Sequence, residues 1–110
     1  MEQLASTEQY QTMIQENNVL LVQFGTHTCA PCGAIRRKID SWCALHPRCR
    51  SVYVPLEQYQ ALAAGEGVFS VPTILVFIQG CLTIRESGYF SLEELFTRLQ
   101  RYLTLLEEEA

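Results

Sequence analysis

HTCAPCGAIRRK, residues 27–38, sets two cysteines, Cys29 and Cys32, with two residues between them, at the boundary between two kinds of sequence. Upstream, Val19-Leu-Leu-Val-Gln-Phe24 is a nearly continuous apolar run of the kind found in strands covered on both faces. Downstream, Pro31 suits the first turn of a helix, and Ile35, Ile39, Trp42, Cys43 and Leu45 keep helical spacing until His46-Pro47 stops it. The C-x-x-C therefore falls where a central strand hands over to a helix N-terminus. The unpaired N–H groups and dipole there favour a thiolate. Cys29, just ahead of the helix, is the expected attacking thiol. Cys32, one turn later and more enclosed, is the expected resolving thiol.

Working outward, Ser6 and Gln9 have capping-box spacing, and Tyr10, Met13 and Ile14 form a helical stripe that Asn17 and Asn18 end. A short strand is expected ahead of it, at residues 2–5. Ser51 to Val54 reads as a second main strand, and Glu57 to Ala64 as a short helix closed by Gly65 and Gly67. Thr73 to Ile78 and Leu82 to Glu86 read as strands joined at Gln79-Gly80. Ser91 with Glu94 opens a last helix, with Leu92, Leu95, Phe96, Leu99, Leu103 and Leu106 as its inward stripe. This order predicts an α/β domain whose sheet is parallel at first and ends in an antiparallel hairpin, with helices on both faces. A chain of 110 residues without repeats or linkers supports one core, so residues 1–110 are expected to form one domain.

The formal net charge of −4 and the acidic end, EEEA at 107–110, argue against nucleic acid or an anionic membrane as partner. The N-terminus lacks the basic and apolar regions of a secretory signal, and no apolar run reaches the ~18 residues of a membrane span, so a cytoplasmic location is the expectation. Five cysteines, an odd number, in a reducing compartment do not suggest a disulfide framework and leave redox chemistry or a metal. Cys29, Cys32, Cys43, His46 and Cys49 could in principle supply zinc ligands. Cys32 and Cys43, however, lie about 16 Å apart along one helix at its rise of ~1.5 Å per residue, so no metal site is expected. Cys43 reads as a buried helix-face residue, and Cys49 and Cys81 as incidental thiols open to adventitious or regulatory disulfides. His27 reads as a solvent-facing loop residue that, when charged, would support the Cys29 thiolate. Arg36, Arg37 and Lys38 read as a solvated helix face, and Trp42 and Tyr89 as packing residues.

Val22-Gln-Phe24, Cys29-Ala-Pro-Cys32, Val71-Pro72-Thr73, Val76-Phe77, Gln79-Gly80, Gly88 and the amphipathic final helix together resemble the thioredoxin family, roughly from Ser6 to Leu105. The resemblance implies the thioredoxin fold, a central mixed sheet of four to five strands flanked by helices on both faces. It also implies that Pro72 is cis and faces the cysteine pair, that Val71 offers backbone hydrogen bonds to a substrate chain, and that Ala30 and Pro31 belong to the same substrate-binding surface. Several positions depart from the family's pattern. Gln23 stands where a buried Asp would help move the resolving cysteine's proton, and Tyr53 where its Lys partner would stand. Gly25 and Thr28 replace Trp residues, and Arg37 replaces a helix-kinking Pro.

The resemblance implies a thiol–disulfide oxidoreductase that exchanges electrons with protein disulfides through Cys29 and Cys32. It needs no organic cofactor, works as a monomer and is re-reduced by an outside donor such as a thioredoxin-reductase-type flavoprotein or another dithiol protein. The alternative is a binding or adaptor module with little turnover that holds a partner chain beside Val71-Pro72. Gln23 and the absent aromatic residues favour that alternative, and the intact C-x-P-C opposes it.

Overall fold

A computed structural model describes residues 1–109. A two-residue strand, β1 (Glu2–Gln3), precedes helix α1 (Thr7–Glu16), whose start is fixed by the Ser6 hydroxyl accepting from the Gln9 N–H at 3.0 Å. Strand β2 (Val19–Gly25), helix α2 (Ala30–Ala44), strand β3 (Cys49–Pro55) and helix α3 (Gln60–Gly65) follow. The hairpin β4 (Thr73–Ile78) and β5 (Cys81–Ser87) leads to helix α4 (Leu92–Glu109), opened by the Ser91 hydroxyl accepting from the Glu94 N–H at 3.1 Å. Of the expected single unit, Ala110 lies outside the described residues. Among the described residues no helix is long and apolar enough to cross a membrane.

The strands form one sheet in the order β1-β3-β2-β4-β5, parallel from β1 to β2 and antiparallel from β2 to β5. All seven residues of β2 are buried, as the apolar run requires, and the period of two sends them to two layers. Leu20, Val22 and Phe24 join a cluster with Tyr10, Met13 and Ile14 of α1 and Ala63 of α3. Val19 and Leu21 join a second cluster with Ile39 of α2 and Leu95, Leu99, Leu103 and Leu106 of α4. Gln23 shares the parity of Val19 and Leu21, so this one polar residue of the run faces the layer that holds α2.

Strand β1 ends at Gln3 and not at residue 5, β5 runs one residue further at each end than Leu82 to Glu86, and two other boundaries differ for local reasons. The parallel register Val19↔Cys49 carries β3 two residues further back than Ser51. The third helix starts at Gln60 and not at Glu57. The N–H of Leu56 donates to Gly25 O at 2.8 Å, and those of Gln58 and Tyr59 turn back onto Pro55 O at 3.1 and 3.2 Å, so residues 56–59 form a turn.

Candidate active site

The strand-to-helix handover forms as its sequence suggests. Cys29 is the N-cap of α2 with extended backbone (φ −79°, ψ 104°), its N–H donates to Thr26 O at 3.1 Å, and Pro31 occupies the first turn. The Cys32 N–H donates to Cys29 O at 3.2 Å, closing a turn that holds the two Cα atoms 5.4 Å apart, and their sulfurs are joined in a disulfide. The two cysteines differ in surroundings. Cys29 is half-buried between the exposed Thr28 and Ala30, with Pro31 also exposed, whereas Cys32 is 4% exposed.

Behind Cys32 stands Gln23, fully buried, whose Nε2 donates to the Cys32 carbonyl at 2.9 Å while its Oε1 has no partner. The amide thus braces the first turn of α2. No carboxylate stands at this position to take a proton from Cys32.

The β2–β3 register sets Tyr53 beside Gln23, and Val52 and Val54 belong to the opposite cluster, so Tyr53 also faces α2. Gly25 explains how the ring is accommodated. A Cβ at that position would lie 2.7 Å from the Tyr53 hydroxyl and 2.9 Å from Cys32 Sγ, closer than side-chain carbons approach other atoms. The phenol therefore occupies the space that any larger residue 25 would claim. Arg36, one turn after Cys32 on α2, lays its guanidinium carbon 4.5 Å from the centre of the Tyr53 ring, and its Nη2 donates to Met1 O at 2.8 Å. Burial pushes the Tyr53 phenol above its ordinary pKa and the Glu57 charge adds to this, with Arg36 opposing, so the hydroxyl remains a proton donor at neutral pH. Cys29, Cys32, Arg36 and Tyr53 line a shared cleft of about 360 Å³.

His27 is turned outward, 84% exposed, with Nδ1 3.0 Å from Glu57 Oε2. Partial desolvation tends to raise the Glu57 carboxyl, but hydrogen bonds from the His27 side chain and from backbone N–H groups outweigh it and hold the carboxyl below its ordinary value. The imidazole's bond is therefore to Glu57 and not to a cysteine. Val71-Pro72 precedes β4 directly, and because Thr73 pairs with Phe24 it lies at the same end of the sheet as the cysteine loop. The Val71–Pro72 peptide bond is cis, Val71 is half-buried and Pro72 buried, and Pro72 O accepts from the Gly88 N–H at 3.0 Å. The sheet thus brings Cys29, Cys32, Gln23 and Val71-Pro72 to one end.

Among the described residues no group of three or more His, Cys, Asp or Glu side chains is placed to hold a metal ion. Cys43 and Cys49 stand at the far end of α2 and the start of β3, and Cys81 is exposed at the start of β5. Sequence reasoning placed Tyr53 here only through the resemblance, at the position of a Lys partner to residue 23, and read Arg36 as part of a solvated helix face. The available signal was the i, i+4 relation of Cys32 to Arg36 and the parity of Tyr53 in β3.

With this geometry in hand, comparison with known proteins is direct. The thioredoxin family model matches residues 2–101. A thioredoxin from Griffithsia pacifica is 28% identical over 102 residues, covering 92% of this chain and 94% of that protein. Thioredoxin-2 of Pyricularia oryzae is 29% identical over 77 residues, covering 70% of this chain, and the chain spans only 45% of that relative's length. Among solved structures, a mutant thioredoxin from Halobacterium salinarum superposes with a TM-score of 0.83 at 22% identity over 92% of this chain and 88% of that one. A Fasciola hepatica thioredoxin gives 0.82 at 24% identity over 93% and 99%.

Proposed function

The chain belongs to the thioredoxin family, and on that premise we propose that it is a thiol–disulfide oxidoreductase of the protein-disulfide reductase type. The observation that carries this reading is the unequal Cys29–Cys32 pair at the N-terminus of α2, one cysteine half-buried at the helix cap and the other enclosed. In the dithiol form the Cys29 thiolate attacks a substrate disulfide, forming a mixed disulfide and releasing one substrate sulfur as a thiolate that takes up a proton from water. Cys32 loses its proton and attacks Cys29 Sγ. The Cys29–Cys32 bond forms, the bond to substrate breaks, and the second substrate sulfur leaves with the electron pair and takes a proton. Two protein thiols are oxidised and one substrate disulfide is reduced.

In this reading Ala30 and Pro31 border the approaching substrate, the Val71 backbone pairs with its chain, and Pro72 shapes the floor beneath the sulfurs. Re-reduction is assigned to an external electron donor of the flavoprotein reductase or dithiol class, in a cytoplasmic or similarly reducing setting, with the chain acting as a monomer. Reduction of insulin disulfides with a dithiol donor tests the proposal. The wild type is expected to accelerate it catalytically, and a Cys29→Ser variant to lose that acceleration. The adaptor reading is favoured by one observation, the amide of Gln23 where a base would assist Cys32. It requires binding of a disulfide-containing chain without turnover, so catalytic insulin reduction excludes it.

A further inference from the structure

The enclosed thiol must ionise to complete a cycle, yet Gln23 offers it no base, and the amide Nε2 already donates to the Cys32 carbonyl. The polar side-chain group that shares with this sulfur the space left open by Gly25 is the Tyr53 hydroxyl. We propose that Tyr53 donates a hydrogen bond to Cys32 Sγ as that sulfur becomes a thiolate, and that Arg36, stacked over the ring, holds the phenol in place and adds positive charge. The inference rests on the disulfide-exchange reading and names the group that makes the resolving step feasible.

Three observations converge on it. Gly25 leaves open the space that the hydroxyl and the sulfur both border, a Cβ there lying 2.7 Å from the one and 2.9 Å from the other. The Arg36 guanidinium over the ring fixes its plane and is itself anchored by Met1 O. The shared cleft gives the departing proton a route to water, which a fully enclosed thiol would lack. The balance is simple. Cys32 gives its proton to water in the cleft, its sulfur keeps the electron pair and bonds to Cys29 Sγ, and the substrate sulfur leaves with the electrons of the broken bond. Tyr53 keeps its own proton throughout. The charged and titratable groups around the pair are Arg36 on α2, His27 and Glu57 bonded to each other across the loop ends, and the Met1 ammonium paired with Asp40 at 2.7 Å; on β1 the register partner of Tyr53 is the neutral Gln3.

Tyr53→Phe removes the hydroxyl and keeps the ring under Arg36, so the fold is expected to persist and is checked by circular dichroism and thermal melting. In a Cys29→Ser background, the pH dependence of Cys32 alkylation reads the ionisation of that thiol directly. Adding Tyr53→Phe should raise its midpoint by about one pH unit, about a tenfold change in the ionisation constant. In the wild-type pair, dithiobis-nitrobenzoate forms a mixed disulfide on Cys29, and release of the second nitrothiobenzoate times the attack by Cys32. Tyr53→Phe should slow that release about tenfold near pH 7, with the two rates converging at alkaline pH. A structural role alone would lower the melting temperature without moving either pH midpoint. Superimposable ionisation curves with and without Tyr53→Phe overturn the proposal. If ionisation shifts but the wild type never releases the second equivalent, the hydrogen bond stands and the disulfide-exchange reading falls.

Discussion

At the scale of single residues, the site is a contest between burial and ionisation. A thiol enclosed to the degree of Cys32 is harder to ionise than one at a helix cap, and Gln23 braces the turn through the Cys32 carbonyl without relieving that cost. Gln23→Asp should therefore separate the two demands. A carboxylate there supplies a proton acceptor, and general-base assistance is typically worth ~10²- to 10⁴-fold, so the resolving step should accelerate near neutral pH by a factor toward the lower end of that range. The same change buries an acid beside Tyr53, where no Lys stands to pair with it, and removes the bond to Cys32 O, which should lower stability by about 2 kcal/mol. Resolving rates between about pH 6 and pH 9, with urea unfolding of both forms, check it. Equal rates would mean that the proton already leaves efficiently by the Tyr53 side. The unequal cysteines give a second expectation. Cys32→Ser should trap a Cys29-linked mixed disulfide with a protein substrate, visible on a non-reducing gel, and Cys29→Ser should trap little. Equal trapping would reverse the assigned roles.

At the scale of elements, what was legible in the sequence was what local pattern determines. The Val19–Phe24 run, Pro31 after Cys29 and the Ser6 and Ser91 caps each announce their element because the cause lies within a few residues. The start of α3 was not legible, since it depends on Leu56 bonding to Gly25 across the end of two strands. The resemblance set Tyr53 beside Gln23, but the approach of its hydroxyl to Gly25 and Cys32 needs the β2–β3 register before parity can be converted into proximity. The far end of α2 shows the same limit. Trp42 reads as packing from sequence, but its stacking between His46 at 3.8 Å and Phe96 of α4 at 5.0 Å is a product of the tertiary fold. The thiols near that end have distinct settings. The Cys43 thiol is held low, first by its hydrogen bond with Cys49 and against the effect of burial, whereas that same bond and burial push Cys49 far up. With Cys29 and Cys32 kept as a disulfide, a limiting alkylating reagent at pH 8 should modify exposed Cys81 and half-buried Cys43 and leave Cys49 unmodified until the protein unfolds. Peptide mass mapping reads the order, and early labelling of Cys49 would mean that the α2–β3 corner opens in the native state.

At the scale of the whole molecule, the apolar layer that holds α1 and α3 carries a polar contact between distant parts of the chain, made by Tyr10. Its ring is 1% exposed, meets Phe77 of β4 edge-on at 6.1 Å, and its hydroxyl donates to Glu66 Oε2 at 3.0 Å, fifty-six positions along the chain. Arg85 of β5 donates to Glu66 O at 2.6 Å, so α1, the end of α3 and the hairpin converge on this one group. Burial pushes the Tyr10 phenol far above its ordinary value, and the charge and hydrogen bond of Glu66 add to that, with Arg85 opposing. The folded state therefore holds this proton more tightly than the unfolded chain, whose phenol ionises near pH ~10. The resulting stability is fully present below pH ~10 and is lost as pH rises beyond it, by up to about 1.4 kcal/mol per pH unit for this group. Tyr10→Phe should cost about 1 kcal/mol at pH 7, where it removes the bond to Glu66 and leaves the apolar packing in place. Between about pH 10 and pH 11.5 the variant should lose stability less steeply than the wild type, so that the gap between them narrows or reverses. Some alkaline loss should remain in the variant, because Tyr53 is also pushed up. Urea unfolding at stepped pH reads both curves. If they stay parallel through the alkaline range, the Tyr10 proton is not what couples α1 to α3, and the stability of that layer rests on its apolar contacts alone.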